Sequence, residues 1–252
     1  MSICIRIVLA LLAALGPVRE AQAVSRNSLW LVVRTCIEAE RLAGLSFPCL
    51  RVKAGDAANP GYALVRPPGA QSHLLLVPTT PVSGIEAPAL QRDPGAAYWR
   101  DALEARQSVV DALKGRVSLN DVALAVNSKG GRSQDQLHIH LDCVAPRVRT
   151  ALNAQAGTID RRWTRLPFML EKDYYYVMRV SAVEARSFNP FATLINPPFA
   201  ASRLSSASLA AVATSPNDPN AGFYILAFQA PFAHAERLLD HQCEIAAKVV
   251  AQ

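Results

Sequence analysis

Residues 136–143 (QLHIHLDC) alternate polar and apolar side chains, and this alternation predicts a strand that is buried on one face. Side chains two residues apart lie on the same face of a strand. The apolar set is predicted to face the core: Leu137, Ile139, Leu141 and Cys143. The polar set is predicted to share the opposite face: Gln136, His138, His140 and Asp142. Two imidazoles and an amide are thus expected side by side on the non-core face of one strand.

A glycine-containing loop, residues 128–133 (SKGGRS), leads into this strand. Free backbone amides in such a loop, together with the charges of Lys129 and Arg132, suit the oxygens of a phosphate group. An imidazole has an ordinary pKa near 6.5, so it can act as a nucleophile or a proton donor at neutral pH. The loop and the two histidines together predict phosphate chemistry at His138 and His140.

The composition excludes several other classes of protein. The chain has 252 residues, of which 51% are hydrophobic and 18% are charged, so it has enough apolar material for a sizeable core and is not a disordered chain. A repeat of about 20 to 50 residues, which a solenoid or propeller would need, is not visible in the sequence. We predict two halves, residues 24–150 and 151–252, that pack against each other as one unit.

Local patterns predict an α+β fold, with an antiparallel sheet, a long crossover helix and an additional C-terminal α+β half. In the first half, helices are predicted over residues 28–43 and 96–113, and strands over residues 62–66, 73–77, 122–127 and 136–143. In the second half, strands are predicted over residues 174–181 and 223–229, and helices over residues 200–213 and 233–250. This order loosely echoes the first half, as a degenerate duplication would. His234 and His241 are predicted to lie on the surface of the terminal helix.

The first 23 residues have the three parts of a signal peptide. Arg6 supplies the positive charge, residues 7–16 form an apolar run, and residues 21–23 (AQA) form a small-x-small cleavage signal. The apolar run is shorter than the roughly 18 residues expected of a spanning helix, which favours cleavage. An uncleaved membrane anchor that uses residues 3–15 stays open as an alternative.

The net charge of the chain indicates which kinds of anionic partner it could bind. The formal net charge is +6 at pH 7, which is a modest basic excess. Export argues against nucleic acid as a natural partner. An anionic membrane surface or a phosphate-bearing substrate fits the basic excess better.

Four cysteines follow the predicted signal segment: Cys36, Cys49, Cys143 and Cys243. An even number of cysteines in an oxidising compartment predicts two disulfides, for which three pairings are possible. We favour Cys36 with Cys49, which closes a short loop, and Cys143 with Cys243, which ties the end of the chain to the histidine-bearing strand. Four buried free thiols are the alternative.

Residues 130–141 (GGRSQDQLHIHL) resemble the motif of the histidine-triad superfamily, in which alternating histidines follow a Gly-x-Ser phosphate loop. The resemblance extends to residues 70–78 (AQSHLLLVP), where a supporting histidine precedes an apolar strand and a proline. Within the superfamily, the export signal and residues 238–243 (LLDHQC) look most like bacterial CDP-diacylglycerol pyrophosphatases. This similarity covers nearly the whole chain after the signal segment. It implies a location in the periplasm or at the periplasmic face of the inner membrane.

The resemblance also implies a reaction, the hydrolysis of the pyrophosphate bond of CDP-diacylglycerol to CMP and phosphatidate. His138, at the middle triad position, would be the nucleophile on the nucleotide-side phosphorus. His140 would bind the phosphoryl oxygens, Ser133 the bridging or leaving oxygen, and His73 would support the imidazoles. Further substrate and phosphate contacts are predicted in and around the loop: Asn127, Lys129, Gly131, Arg132 and Gln134.

Gln136 departs from the triad, because the superfamily usually has histidine at this position. A glutamine can orient a neighbour through hydrogen bonds but cannot carry a proton, so the acid–base steps stay open.

Two functions from other classes remain as alternatives. A metal-dependent hydrolase would use His138 and His140 with Asp142 or His73 as ligands, and it would be inhibited by a chelator. A non-catalytic nucleotide- or lipid-binding protein would carry Gln136 as the sign of a decayed triad. The histidine mechanism itself needs no cofactor, and the sequence leaves the oligomeric state open.

Overall fold

A ten-stranded antiparallel sheet runs through both halves of the chain, in a computed structural model that describes residues 25–56, 59–195 and 197–248. The first-half strands are β1 Arg51–Lys53, β2 Tyr62–Val65, β3 Leu74–Pro78, β4 Val122–Val126 and β5 Ile139–Val144. The second-half strands are β6 Thr164–Arg165, β7 Tyr176–Ser181, β8 Ala207–Ala213, β9 Gly222–Gln229 and β10 Leu239–Asp240. The predicted α+β class is therefore confirmed.

Four α-helices accompany the sheet in the described residues: α1 Ser28–Ala43, α2 Asp93–Ala112, α3 Pro146–Ala154 and α4 Glu244–Lys248. Helices α1 and α2 confirm the two helices predicted in the first half, whereas α3 was not predicted. Helix α1 ends at Gly44, whose φ of 65° lies in the left-handed region that glycine adopts without steric cost. None of these helices is long and apolar enough to cross a membrane. The predicted signal segment, residues 1–23, lies outside the described residues.

Strands β4 and β8 join the two halves into one sheet. The strand order is β1-β2-β3-β5-β4-β8-β9-β7-β6, and β10 pairs with β5. The predicted hairpin of β2 and β3 is present, with Leu64 opposite Leu76. From the β4–β8 junction outward, β8-β9-β7-β6 repeats the order β4-β5-β3-β2. This is the arrangement that a degenerate duplication would produce.

The two faces of the sheet bury different apolar clusters. One face packs against α2, and its core includes the residues of the apolar set predicted on and before β5: Leu137, Ile139, Leu141 and Cys143. The other face packs under α1 at one end of the sheet and against α3 and the C-terminal segments at the other. On this second face His140 lies between Leu75 of β3 and Ala125 of β4. His138 and His140 therefore lie on the second face of the sheet, between two apolar clusters. This is the face on which the alternation of residues 136–143 predicted them.

The predicted helix over residues 200–213 is wrong. Ala201–Ser206 is a 3₁₀ helix, and the rest of the segment is strand β8. Every residue of β8 is buried, because the strand pairs with β4 on one side and β9 on the other. Small residues such as alanine favour an isolated helix, but the central position in the sheet overrides that local preference.

The predicted terminal helix over residues 233–250 is also wrong. Ala235–Leu238 is a 3₁₀ helix, Leu239–Asp240 is strand β10, and only the short helix α4 follows, while residues 249–250 lie outside the described residues. Strand β10 pairs with β5, with Asp240 opposite Cys143. The segment is therefore anchored to the histidine-bearing strand, and its polar residues do not lie on a solvated helix.

The structure pairs the four cysteines in the combination that we favoured. Cys36 and Cys49 have Cα atoms 5.8 Å apart and are separated by 13 residues in sequence. Cys143 and Cys243 have Cα atoms 5.3 Å apart and are separated by 100 residues. Of the two bridges, the one that closes the longer loop restricts the unfolded chain more. Because Cys143 lies in β5, this bridge also joins the C-terminal segment to β5, beside the pairing of β10 with β5.

Candidate active site

A cavity of about 740 Å³ opens on the face of the sheet that carries His138 and His140. Its polar end is lined by His73, Asn127, Gly131, Ser133, Gln134, His138, His140, His234 and Glu236. Its apolar side is lined by Leu29, Val32, Pro48, Val65, Pro67, Pro68 and Leu75. The cavity thus offers groups that stabilise charge at one end and a hydrocarbon-compatible wall along one side.

His138 is buried, and the backbone orients its ring. Its Nδ1 lies 2.7 Å from the carbonyl oxygen of Gln136. A carbonyl oxygen can only accept, so Nδ1 donates the proton and Nε2 of the neutral ring keeps its lone pair. Burial lowers the pKa of His138 to about 4, and the electrostatic interaction with the neighbouring His140 ring adds to this effect. At neutral pH His138 is therefore an unprotonated imidazole whose Nε2 is available as a nucleophile.

His140 is held by three side chains from different parts of the chain. Its Nδ1 lies 3.0 Å from His73 Nε2 and 3.2 Å from Glu236 Oε1. Its Nε2 lies 3.4 Å from Asn127 Nδ2. Burial, and after it the electrostatic interactions with the His140 and His241 rings, lower the pKa of His73 to about 4, so His73 is neutral at pH 7. The rings of His138 and His140 pack edge to face with centroids 4.9 Å apart, which places both imidazoles at one reaction centre.

A hydrogen-bond network continues from Glu236 to Asp142. The Nε2 of His241 lies 3.1 Å from Glu236 Oε1, and its Nδ1 lies 2.7 Å from Asp142 Oδ2. These hydrogen bonds, first to Asp142 and then to Glu236, raise the pKa of His241 to about 9. Burial acts to raise the pKa of Glu236, but hydrogen bonds from His140 and His241 outweigh it and hold that pKa below its ordinary value. Glu236 is therefore an anion shared by two imidazole rings.

Gln136 is not part of the cavity wall. Its Nε2 donates to the carbonyl oxygens of Pro78 at 3.1 Å and Thr80 at 2.8 Å, and its Oε1 accepts from the Val82 amide at 3.2 Å. The amide side chain thus holds the turn after β3. What Gln136 supplies to the site is the backbone carbonyl that orients His138.

Two of the predicted phosphate contacts, Lys129 and Arg132, are not part of the cavity wall either. The guanidinium of Arg132 is buried and donates to both carboxylate oxygens of Glu86, at 2.8 and 2.7 Å. Lys129 is exposed to solvent. Arg132 thus holds the loop in place and has no free donor pair aimed at the cavity.

Three other loop residues, Gly131, Ser133 and Gln134, do line the cavity. Gln134 also accepts a hydrogen bond of 2.8 Å from the Leu29 amide, so it caps the first turn of α1. A Cβ atom on Gly131 would lie 2.3 Å from the carbonyl oxygen of Ala233. Only glycine therefore lets the loop approach the segment that carries Glu236.

Sequence reasoning missed the roles of Glu236 and His241, and the prediction that His234 and His241 lie on a helix surface is wrong. His234 lines the cavity, while His241 bonds Asp142 and Glu236. The predicted Cys143–Cys243 bridge was the signal that could have located this contact. Its geometry brings residue 241 beside residue 142.

The raised pKa of His241 predicts a pH-dependent contribution to stability. A group whose folded-state pKa lies above its ordinary value of 6.5 stabilises the fold fully below pH 6.5, and this contribution is lost as the pH rises through about 9. We therefore expect His241→Gln to lower the Tm at pH 6.5, and we expect this deficit to shrink as the pH approaches 9. Thermal unfolding of both proteins across this range measures it. A deficit that is the same at every pH would show that His241 contributes through packing alone.

Comparison with known proteins agrees with this geometry. The model of the CDP-diacylglycerol pyrophosphatase family matches residues 24–247. A CDP-diacylglycerol pyrophosphatase from Yersinia pestis is 32% identical over 246 residues, an alignment that covers 95% of this chain and 92% of that protein. The family suggested by residues 130–141 is thereby confirmed. The chain belongs to the CDP-diacylglycerol pyrophosphatase family.

Proposed function

We propose that the chain hydrolyses the pyrophosphate bond of CDP-diacylglycerol through a nucleotidyl-histidine intermediate. His138 Nε2 attacks the nucleotide-side phosphorus, a P–N bond forms, and the bond to the bridging oxygen breaks with phosphatidate as the leaving group. Water then attacks the same phosphorus, the P–N bond breaks, and CMP leaves. No cofactor enters either step.

The observation that carries this proposal is the hydrogen bond from His138 Nδ1 to the carbonyl oxygen of Gln136. It fixes the tautomer in which Nε2 has a free lone pair, and it does so with a backbone group that cannot titrate. The departure from histidine at position 136 therefore leaves the nucleophile intact. The proton transfers of the reaction would instead involve His140, whose Nδ1 lies 3.2 Å from Glu236 Oε1.

The shape of the cavity supports a lipid-linked nucleotide as the substrate. The polar end would receive the pyrophosphate, where the Ser133 hydroxyl can donate a hydrogen bond to its oxygens. The apolar wall extends from this end along α1 and β2 and would accept the glycerol backbone and the start of the acyl chains. A soluble dinucleotide would leave that wall uncovered.

We further propose that the enzyme works at the periplasmic face of the inner membrane, where its substrate lies. The tripartite N-terminal segment and the two disulfides support export, because disulfides persist in oxidising compartments. The basic excess of the chain supports contact with an anionic membrane surface.

A metal-dependent hydrolase is a second candidate, because the same side chains could hold a cation. One ligand atom each from His73, His140 and Glu236 lie within 4.8 Å of one another, and so do atoms of His73, Asp142 and His241. Metal binding would displace the hydrogen bonds that now join these groups. Activity that is lost with a chelator and restored by a divalent cation would favour this candidate over the histidine mechanism.

The substrate class is tested by comparing CDP-diacylglycerol in mixed vesicles with soluble dinucleotides. We expect kcat/KM for release of CMP from the lipid to exceed that for the dinucleotides, because only the lipid covers the apolar wall. A variant in that wall, Val32→Ser, is expected to lower turnover of the lipid more than turnover of the dinucleotides, because Val32 is half-buried on α1. Faster hydrolysis of the dinucleotides by the parent enzyme would overturn the lipid assignment while leaving the histidine chemistry in place.

A further inference from the structure

Large apolar side chains are exposed in one stretch of the chain, which comprises α1 and the loop that follows it. Of the ten exposed large apolar residues among the described residues, five fall within residues 31–50: Leu31, Leu42, Leu45, Phe47 and Leu50. We call these five residues the apolar ridge. Exposed large apolar side chains that are concentrated in one part of the chain in this way are typical of a surface that contacts a partner or a membrane.

The loop carries its apolar side chains on a fixed scaffold. The Leu45 amide donates to the carbonyl oxygen of Ala39, and Ser46 Oγ donates to Glu40 at 2.9 Å. The Cys36–Cys49 disulfide ties the end of the loop back to the middle of α1. The loop is thus folded against the helix, and the side chains of the apolar ridge are held outward.

The apolar ridge adjoins the mouth of the catalytic cavity. Pro48, which lines the cavity, directly follows Phe47 of the ridge, and Val32, which also lines it, directly follows Leu31. At two points of the chain, residues of the ridge are therefore direct neighbours of residues in the apolar wall of the cavity. A molecule whose polar end lies at His138 could extend its hydrocarbon past this wall toward the ridge.

The surroundings of the ridge favour a lipid bilayer over a second copy of the chain. Arg34 and Arg51 are exposed beside it, and alternation of basic and large apolar side chains suits the headgroup boundary of a membrane. In the alternative in which the N-terminal segment is an uncleaved anchor, its apolar run, residues 7–16, would add a second membrane contact at this end of the chain.

We propose that the apolar ridge rests in the headgroup–acyl boundary of the bilayer and that the acyl chains of the substrate leave the cavity along it without leaving the membrane. This inference rests on the proposed function for the acyl path, whereas the docking of the ridge stands on the exposed residues alone. It places α1, rather than the opposite edge of the sheet, against the membrane.

Docking is tested with the full chain in vesicles of phosphatidylcholine and phosphatidylglycerol that contain brominated phosphatidylcholine. An environment-sensitive dye is attached to Leu45→Cys in one protein and to Val183→Cys in another. The parent residues are 60% and 80% exposed, and Val183 follows β7 near the opposite edge of the sheet. We expect the brominated lipid to quench the dye at position 45 and not the dye at position 183. Equal quenching at the two positions overturns the proposal, as does quenching at position 45 that depends on protein concentration and not on bromine, which identifies a second copy as the occupant.

The acyl path is tested with the double variant Leu42→Ser/Leu45→Ser and the control Met169→Ser/Val183→Ser. The exposed fractions are 72% and 60% in the first pair and 56% and 80% in the second, so the two changes remove similar exposed surface. We expect the first variant to lower kcat/KM for CDP-diacylglycerol in vesicles by about 10-fold, because two anchoring side chains are lost. Turnover of a short-chain, monomeric CDP-lipid should stay unchanged, and the control should change neither rate.

The outcomes separate this inference from the proposed function. If the double variant turns over vesicle substrate as fast as the parent, the acyl path is wrong even though the enzyme is a CDP-diacylglycerol hydrolase. If the dye at position 45 is quenched but the parent hydrolyses no CDP-lipid, the docking surface is supported and the proposed function fails.

Discussion

His138→Ala is expected to abolish covalent labelling and to lower turnover by at least about 10⁴-fold, because it removes the only group that forms the intermediate. In the parent enzyme, substrate labelled in the nucleotide should leave its label on the peptide that contains His138. A phosphoramidate is labile in acid and stable in base, so the reaction has to be quenched at alkaline pH. Peptide mapping of the quenched enzyme then locates the label.

His234→Ala is the matched control, since His234 is another imidazole on the cavity wall. This variant should keep the label on the His138 peptide, whatever its rate. Water labelled with ¹⁸O provides an independent measurement, because hydrolysis of the intermediate places the isotope in the phosphate of CMP. Isotope found in phosphatidate would mean that attack occurs at the lipid-side phosphorus, and the assignment of His138 would be wrong.

The face of the sheet that carries the site could be predicted because it depends only on local alternation. The period of a strand is two, so the apolar residues from Leu137 to Cys143 decide which way His138 and His140 point. The same local information placed four strands of the first half, β2 to β5, and helices α1 and α2 within a few residues, whereas β1 was not predicted. Such patterns depend only on residues that are close together in the sequence, so the sequence alone is enough to predict them.

Elements that depend on distant partners could not be predicted in the same way. Residues 207–213 (ASLAAVA) are mostly small and apolar, a composition that fits a helix or a buried strand equally well. Pairing with β4 on one side and β9 on the other makes the segment a strand. The C-terminal segment is likewise held by β5 and by the Cys143–Cys243 bridge. The predicted Cys143–Cys243 disulfide was the one prediction that placed part of this segment near β5, and it placed only Cys243.

The resemblance to the family predicted which residues lie near the site better than it predicted which groups their side chains contact. Gln136 and Arg132 stand at motif positions, yet one side chain holds the turn after β3 and the other is paired with Glu86. Glu236 stands outside the motif, yet it contacts His140 directly. A motif records which backbone positions surround the site, whereas the ion pairs depend on residues that the fold brings in from elsewhere.

Glu236→Gln is expected to lower kcat by about 10²-fold while KM changes little, which would identify Glu236 as a positioning residue for His140. In the parent, one carboxylate oxygen accepts from both His140 and His241, and the other accepts from Asn127 at 2.8 Å. A glutamine has one oxygen and one amide nitrogen, so it cannot accept from all three donors. We expect His140 to lose its fixed orientation and the negative charge beside it. Both the formation and the hydrolysis of the intermediate should slow.

The readouts for Glu236→Gln distinguish positioning from a general loss of structure. The His138 peptide should still acquire the nucleotide label, more slowly than in the parent, and the pH profile of kcat should change shape because the anion beside His140 is gone. Glu184→Gln is the matched control, since Glu184 also accepts hydrogen bonds from neighbours but lies in the second half, and its kcat should stay within about twofold of the parent. An unchanged kcat and pH profile in Glu236→Gln would contradict the role assigned to this carboxylate. Loss of the label together with loss of a bound metal would instead favour the metal-dependent mechanism, because Glu236, His73 and His140 are the side chains that such a cation would use.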